Sequence, residues 1–265
     1  LRTALEGRAA RLTLRAALTG ILAAALILLD LMARGTLPAP SALTPAAAPS
    51  AWLGIHLILL AVCAGLNWGI LRDGLPALLP GYMPTADALP ALAVCAAGLQ
   101  LVIALLKPSA FDPSAVTVFT GAAALGLFAD VLGRRLGAEA LRGSFTLMTS
   151  GVETKTAYCL RDAAATAALC AGMEEEEPVL LLSRPAGLIR DFLGQSAAPH
   201  RSDRLAVDFG RVLGAVALAG AVVALVRGGS LLSGVTVLAA ILCLGAPLSA
   251  VLVRTVPALL MERSA

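Results

Sequence analysis

The residues best placed to do chemistry lie in the last apolar stretch, Ile241-Leu242-Cys243-Leu244-Gly245-Ala246-Pro247-Leu248-Ser249-Ala250. A proline inside a helix lacks the N–H that would bond to the carbonyl four residues earlier, here that of Cys243, and its ring crowds the same turn. The helix is expected to kink or unwind at Pro247. In lipid such a break is tolerated where protein or a polar cavity satisfies the freed groups, as at the discontinuous helices where transporters hold ions. Freed carbonyls, the Cys243 thiol and the Ser249 hydroxyl would then face a cation, with Cys243 as the metal ligand. The competing reading is a kink that only shapes packing.

Asn67 and Gln100 extend this candidate ion path, because polar groups inside apolar runs are costly and tend to mark routes for ions. Their ordinary alternative is an interhelical hydrogen bond. Asp30, His56 and Asp130 are polar as well, but each lies within about a turn of a span end. Glu174 to Glu177 reads as a solvated loop. With His56 and His200 as the two histidines, and no His-Glu-x-x-His, Gly-x-Ser-x-Gly or Walker-type loop, a membrane enzyme acting on lipid finds no catalytic residues here.

The elements that must hold these residues follow from composition. Apolar residues make up 58%, charged residues 14%, and the mean hydropathy is +0.87, against about 45–50% and about 25% in a soluble domain. Lipid is the solvent that this balance fits. The basic residues lie between apolar runs without interleaved aromatics, which excludes a nucleic-acid surface. Five cysteines without a Cys-x-x-Cys pair argue against a disulfide framework.

Apolar runs place spans at about 16–33, 51–71, 88–106 and 114–132, and after a charged stretch at about 210–226 and 231–253. The expected fold is an all-α transmembrane bundle of about six helices, with a small α/β or α+β cytoplasmic insert over 133–209. Residues 1–15 and 254–265 are expected as cytoplasmic ends, and the chain, which starts at Leu1, as a fragment beginning near a cytoplasmic tail. With the N-terminus inside, Lys and Arg divide 17 inside to 3 outside, as cytoplasmic loops demand. Both termini are then cytoplasmic, in a bacterial inner membrane. The segment 72–90 has room for a short interfacial helix. Gly65 with Gly69, and Gly210 with Gly214, have the spacing of close helix packing. Within the insert, Ser144–Thr149, Thr156–Leu160 and Val179–Ser183 suggest strands, and Arg161–Met173 and Leu188–Gln195 suggest helices.

Four spans, an insert, two spans and a proline in the last of them resemble the membrane half of the heavy-metal-transporting P-type ATPases. There the insert is the actuator domain, and a Cys-Pro-Cys motif marks the ion site. On that alignment Ala246 and Leu248 take the two cysteine positions, and Ser150-Gly151-Val152-Glu153 stands where the family has Thr-Gly-Glu. The resemblance implies a transition-metal cation as substrate. It also implies ATP and Mg acting through C-terminal phosphorylation and nucleotide domains missing from this chain, which has no Asp-Lys-Thr-Gly motif. The alternative is a non-enzymatic membrane anchor or scaffold presenting a regulatory insert.

Overall fold

The computed structural model describes residues 2–38, 44–106, 108, 111–112, 116–149, 155–160, 162–172, 180–185, 200–245, 251–252, 255–256 and 260. Its elements in chain order are α1 (Arg2–Ala33), α2 (Pro49–Leu66), α3 (Trp68–Ala77), α4 (Ala88–Leu106), α5 (Thr120–Thr149), β1 (Lys155–Cys159), α6 (Ala163–Leu169), β2 (Leu181–Pro185), α7 (Arg201–Val226) and α8 (Leu231–Gly245). The chain divides into two compact units, residues 1–140 with 199–265, and residues 141–198.

Among the described residues of the larger unit four helices are long and apolar enough to cross a membrane: Glu6–Ala33 within α1, then α2, α4 and α7. At 1.5 Å per residue α1 is about 48 Å long, more than the hydrocarbon thickness of about 30 Å, so its Arg-bearing start has length to reach past the lipid. Large apolar side chains cover the outside of these helices while several polar ones are enclosed. Ile21 is 66% exposed and Val212 62% exposed, while His56, Thr120 and Asp130 have no exposed surface. Water would penalise each such aliphatic face, since burying one large apolar side chain is worth about 1.5–3 kcal/mol. Lipid does not, and the four helices mark a membrane protein.

Local chemistry sets the element ends. Pro49 begins α2, where its missing N–H costs nothing. Asp203 reaches back to the His200 N–H at 2.8 Å and closes the start of α7. Arg227 to Ser230 join α7 to α8, with Gly228 at φ +84° making the turn.

The smaller unit holds the end of α5, a two-stranded antiparallel sheet and α6. Its register runs from Lys155 opposite Pro185 to Cys159 opposite Leu181. The Asp162 carboxylate caps α6 by accepting the Ala164 N–H at 3.0 Å.

Several expected boundaries move. The run expected as a span from 114 is helical from Thr120; the described residues just before it, 116–119, are non-helical and bond to Gln100, as described below. Ser144–Thr149 is not a strand but the end of α5, whose Thr146 and Thr149 hydroxyls donate to the carbonyls of Arg142 and Phe145, four residues back. The second span breaks at Asn67, and α3 occupies the start of the segment expected to hold an interfacial helix. Helix α7 starts nine residues before the expected Gly210. Gly65, Gly69 and Gly214 meet nothing within 4 Å, whereas a methyl group on Gly220 would lie 2.9 Å from Ile241. The close approach of α7 and α8 therefore runs through a glycine outside both expected pairs. The expected helix at 188–195 lies outside the described residues.

Candidate functional site

The candidate path residues fall on two separate seams. On the seam between α4 and α8, the Gln100 Nε2 donates to the Thr117 carbonyl at 2.8 Å and to Thr236 Oγ1 at 3.1 Å, while its Oε1 accepts the Phe119 N–H at 3.3 Å. Residues 116–119 are non-helical, and one side-chain amide satisfies two of their backbone groups. That is what irregular backbone at membrane depth requires. Seven residues further along α8, the buried Cys243 thiol donates to the Ala93 carbonyl of α4 at 3.5 Å. The spacing from Ala93 to Gln100 matches that from Thr236 to Cys243, so both contacts lie on one antiparallel face.

Asn67 lies elsewhere, at the break between α2 and α3. Its amide donates to Thr19 Oγ1 of α1 at 2.8 Å and to the Cys63 carbonyl at 2.9 Å. Asn67 thus heals a helix break and ties α1 to α2; its described bonds do not reach Cys243. Pro247 and Ser249 lie outside the described residues, as do Glu153 and Glu174–Glu177. All five cysteines are free. Among the described residues no group of three or more His, Cys, Asp or Glu side chains gathers as a metal site.

Two polar clusters emerge that spacing alone did not assemble. In one, the Arg134 guanidinium of α5 pairs with Asp87, just before α4, and its Nε donates to Asp130 Oδ2 at 3.0 Å. Burial pushes the Asp87 carboxyl above the usual carboxylate range; Arg134 offsets this only in part, with Asp73 and Asp203 adding negative charge nearby. A methyl on Gly74 would clash with the Asp87 carbonyl, so α3 approaches this cluster through a glycine.

The other cluster joins α1, α2 and the start of α5. His56 Nδ1 lies 2.7 Å from Thr120 Oγ1, and Nε2 faces Asp30 Oδ1 at 3.9 Å. The Asp30 carboxylate also accepts the Gly121 N–H, capping α5 from a neighbouring helix. A methyl on Gly121 would lie 2.9 Å from Asp30 Oδ2. Asp30 and His56 close the end of one span and open the next, which puts them at one level of an antiparallel pair; that was the available signal.

No protein-family model, no curated protein and no solved structure matches this chain.

Proposed function

We propose that this chain is the ion-pathway membrane region of a cation-translocating, P-type-like ATPase. It has six spans, with both termini and the insert on the cytoplasmic face of the membrane. Its substrate is a transition-metal cation, and its partners are the lipid bilayer and the phosphorylation and nucleotide domains that supply ATP chemistry. No step of that chemistry falls to this chain, which carries no Asp-Lys-Thr-Gly sequence.

The observation that carries the reading is the Cys243 thiol, a soft donor buried where α8 meets α4 and four residues before Pro247. A soft cation selects thiolate sulfur, and to take one Cys243 would give up its proton and its bond to Ala93. Gln100 and Thr236 place further oxygen and nitrogen atoms along the same seam.

Chelator competition with Cu(I), on the chain purified in detergent, tests this. Binding is expected, weakened about tenfold or more by Cys243→Ala and by Pro247→Ala. Binding that neither variant changes removes Cys243 from the path. The absence of a three-ligand cluster among the described residues favours the scaffold reading instead. That reading prevails if Cu(I) does not bind and the insert recruits a protein partner.

A further inference from the structure

The Asp30–His56 cluster takes no part in the seam between α4 and α8, and its geometry is that of neither a packed core histidine nor a closed ion pair. A core histidine has partners on both ring nitrogens. Here Nδ1 has Thr120 Oγ1 at 2.7 Å, but Nε2 is buried with no hydrogen-bond partner. Its nearest polar neighbour, Asp30 Oδ1 at 3.9 Å, is too far for a hydrogen bond. It is close enough for charges to interact strongly in a low-dielectric surrounding. The Trp52 ring packs against the imidazole at a centroid distance of 4.1 Å, tilted by 47°, within the range at which an aromatic ring attracts a cation.

Asp30 also has an opening. Together with Arg34, Trp52, Phe111 and Val116 it lines a cleft of about 480 Å³, whereas a water molecule occupies about 30 Å³ of liquid. The Trp52 indole N–H, on a side chain 4% exposed, has no hydrogen-bond partner either. Asp30 and Trp52 thus border a space that water can fill, and the unpartnered His56 Nε2 faces the Asp30 carboxylate.

We propose that Asp30 and His56 form a proton-exchange site opening on this cleft. A proton from cleft water adds to the lone pair of His56 Nε2, and the ring becomes an imidazolium. The Nε2–H then points at the Asp30 carboxylate, while Nδ1–H remains on Thr120 Oγ1. Release returns the same proton to water past Asp30, and no other bond forms or breaks. The charged groups facing the site are Asp30 of α1 and Arg34 just after it; α5 presents the N–H groups of its first turn, and the segment before it carries Asp112. The proposal does not rest on the cation-path reading.

The chain holds two histidines, so ¹⁵N-histidine NMR in lipid nanodiscs, with His200→Gln for assignment, isolates His56. The Nε2 resonance is expected to change from lone-pair to N–H character as the pH falls from about 9 to about 4. Asp30→Asn, which keeps an oxygen for Gly121, is expected to displace that transition by about one pH unit or more. The exposed Arg34→Gln variant, which leaves the α5 cap in place, is expected to displace it in the opposite sense. A His56 that stays neutral throughout overturns the proposal, as does a transition that neither variant moves.

Discussion

Two clusters of buried charge sit about 21 Å apart along α5, the spacing from Thr120 to Arg134 at 1.5 Å per residue, and they resolve the same physical problem differently. At the Arg134 cluster one guanidinium lies against two carboxylates, Asp87 and Asp130. Arginine keeps its charge at any pH a protein meets, so these carboxylates have a fixed partner and the cluster binds α5 to the start of α4. At the Asp30 cluster the partner of the carboxylate is an imidazole, a group that can gain and lose a proton, and one ring nitrogen has no bond. A permanent cation makes a buried carboxylate part of the scaffold. A titratable partner beside a cleft leaves it able to exchange.

This contrast breaks if the Arg134 cluster tolerates loss of its cation. Arg134→Ala removes the cation shared by the buried Asp87 and Asp130 carboxylates, and is expected to cost about 3 kcal/mol of stability in detergent unfolding. That is the low end for breaking a buried pair, because the guanidinium is 34% exposed. Gly74→Ala pushes a methyl into the Asp87 carbonyl and should cost about 1–3 kcal/mol by overpacking, read in the same assay. Thr120→Val removes one hydrogen bond from His56, and about 1 kcal/mol is expected.

The smallest effect sharpens the comparison through pH. The Asp87 carboxyl is raised in the fold by burial, so the folded state holds its proton more tightly than the unfolded chain. Its contribution is fully present below the ordinary carboxylate value of about 3.9 and is lost as pH rises through the raised one. Asp87→Asn stays neutral and should flatten that part of the stability–pH curve. A slope that persists unchanged assigns the titration to another group.

How much was legible follows from where each determinant lies. Helix α4 has the limits expected from sequence, residues 88–106, because its apolar run stops where hydrocarbon would end. The start of α5 was not legible, since Val116 to Phe119 look like more of the same run. What takes up their backbone groups is Gln100, a contact from another helix. Ser144–Thr149 alternates like a strand, yet threonine hydroxyls can bond their own helix, and here they do. The polarity of Asn67 and Gln100 points to buried residues and, as one reading, to interhelical hydrogen bonds; both residues are buried and both bond across helices, to Thr19 and Thr236, partners that spacing alone does not name. Asp30 and His56 were set aside because they lie near span ends. Their pairing depends on the antiparallel level of two spans rather than on depth.

The most direct test of independent clusters follows the His56 imidazole by NMR in the chain carrying Arg134→Lys, beside Asp30→Asn. The account predicts that Arg134→Lys leaves the His56 transition in place while Asp30→Asn displaces it. Equal displacement by both variants would show a single coupled network and contradict the division between a structural cluster and an exchanging one.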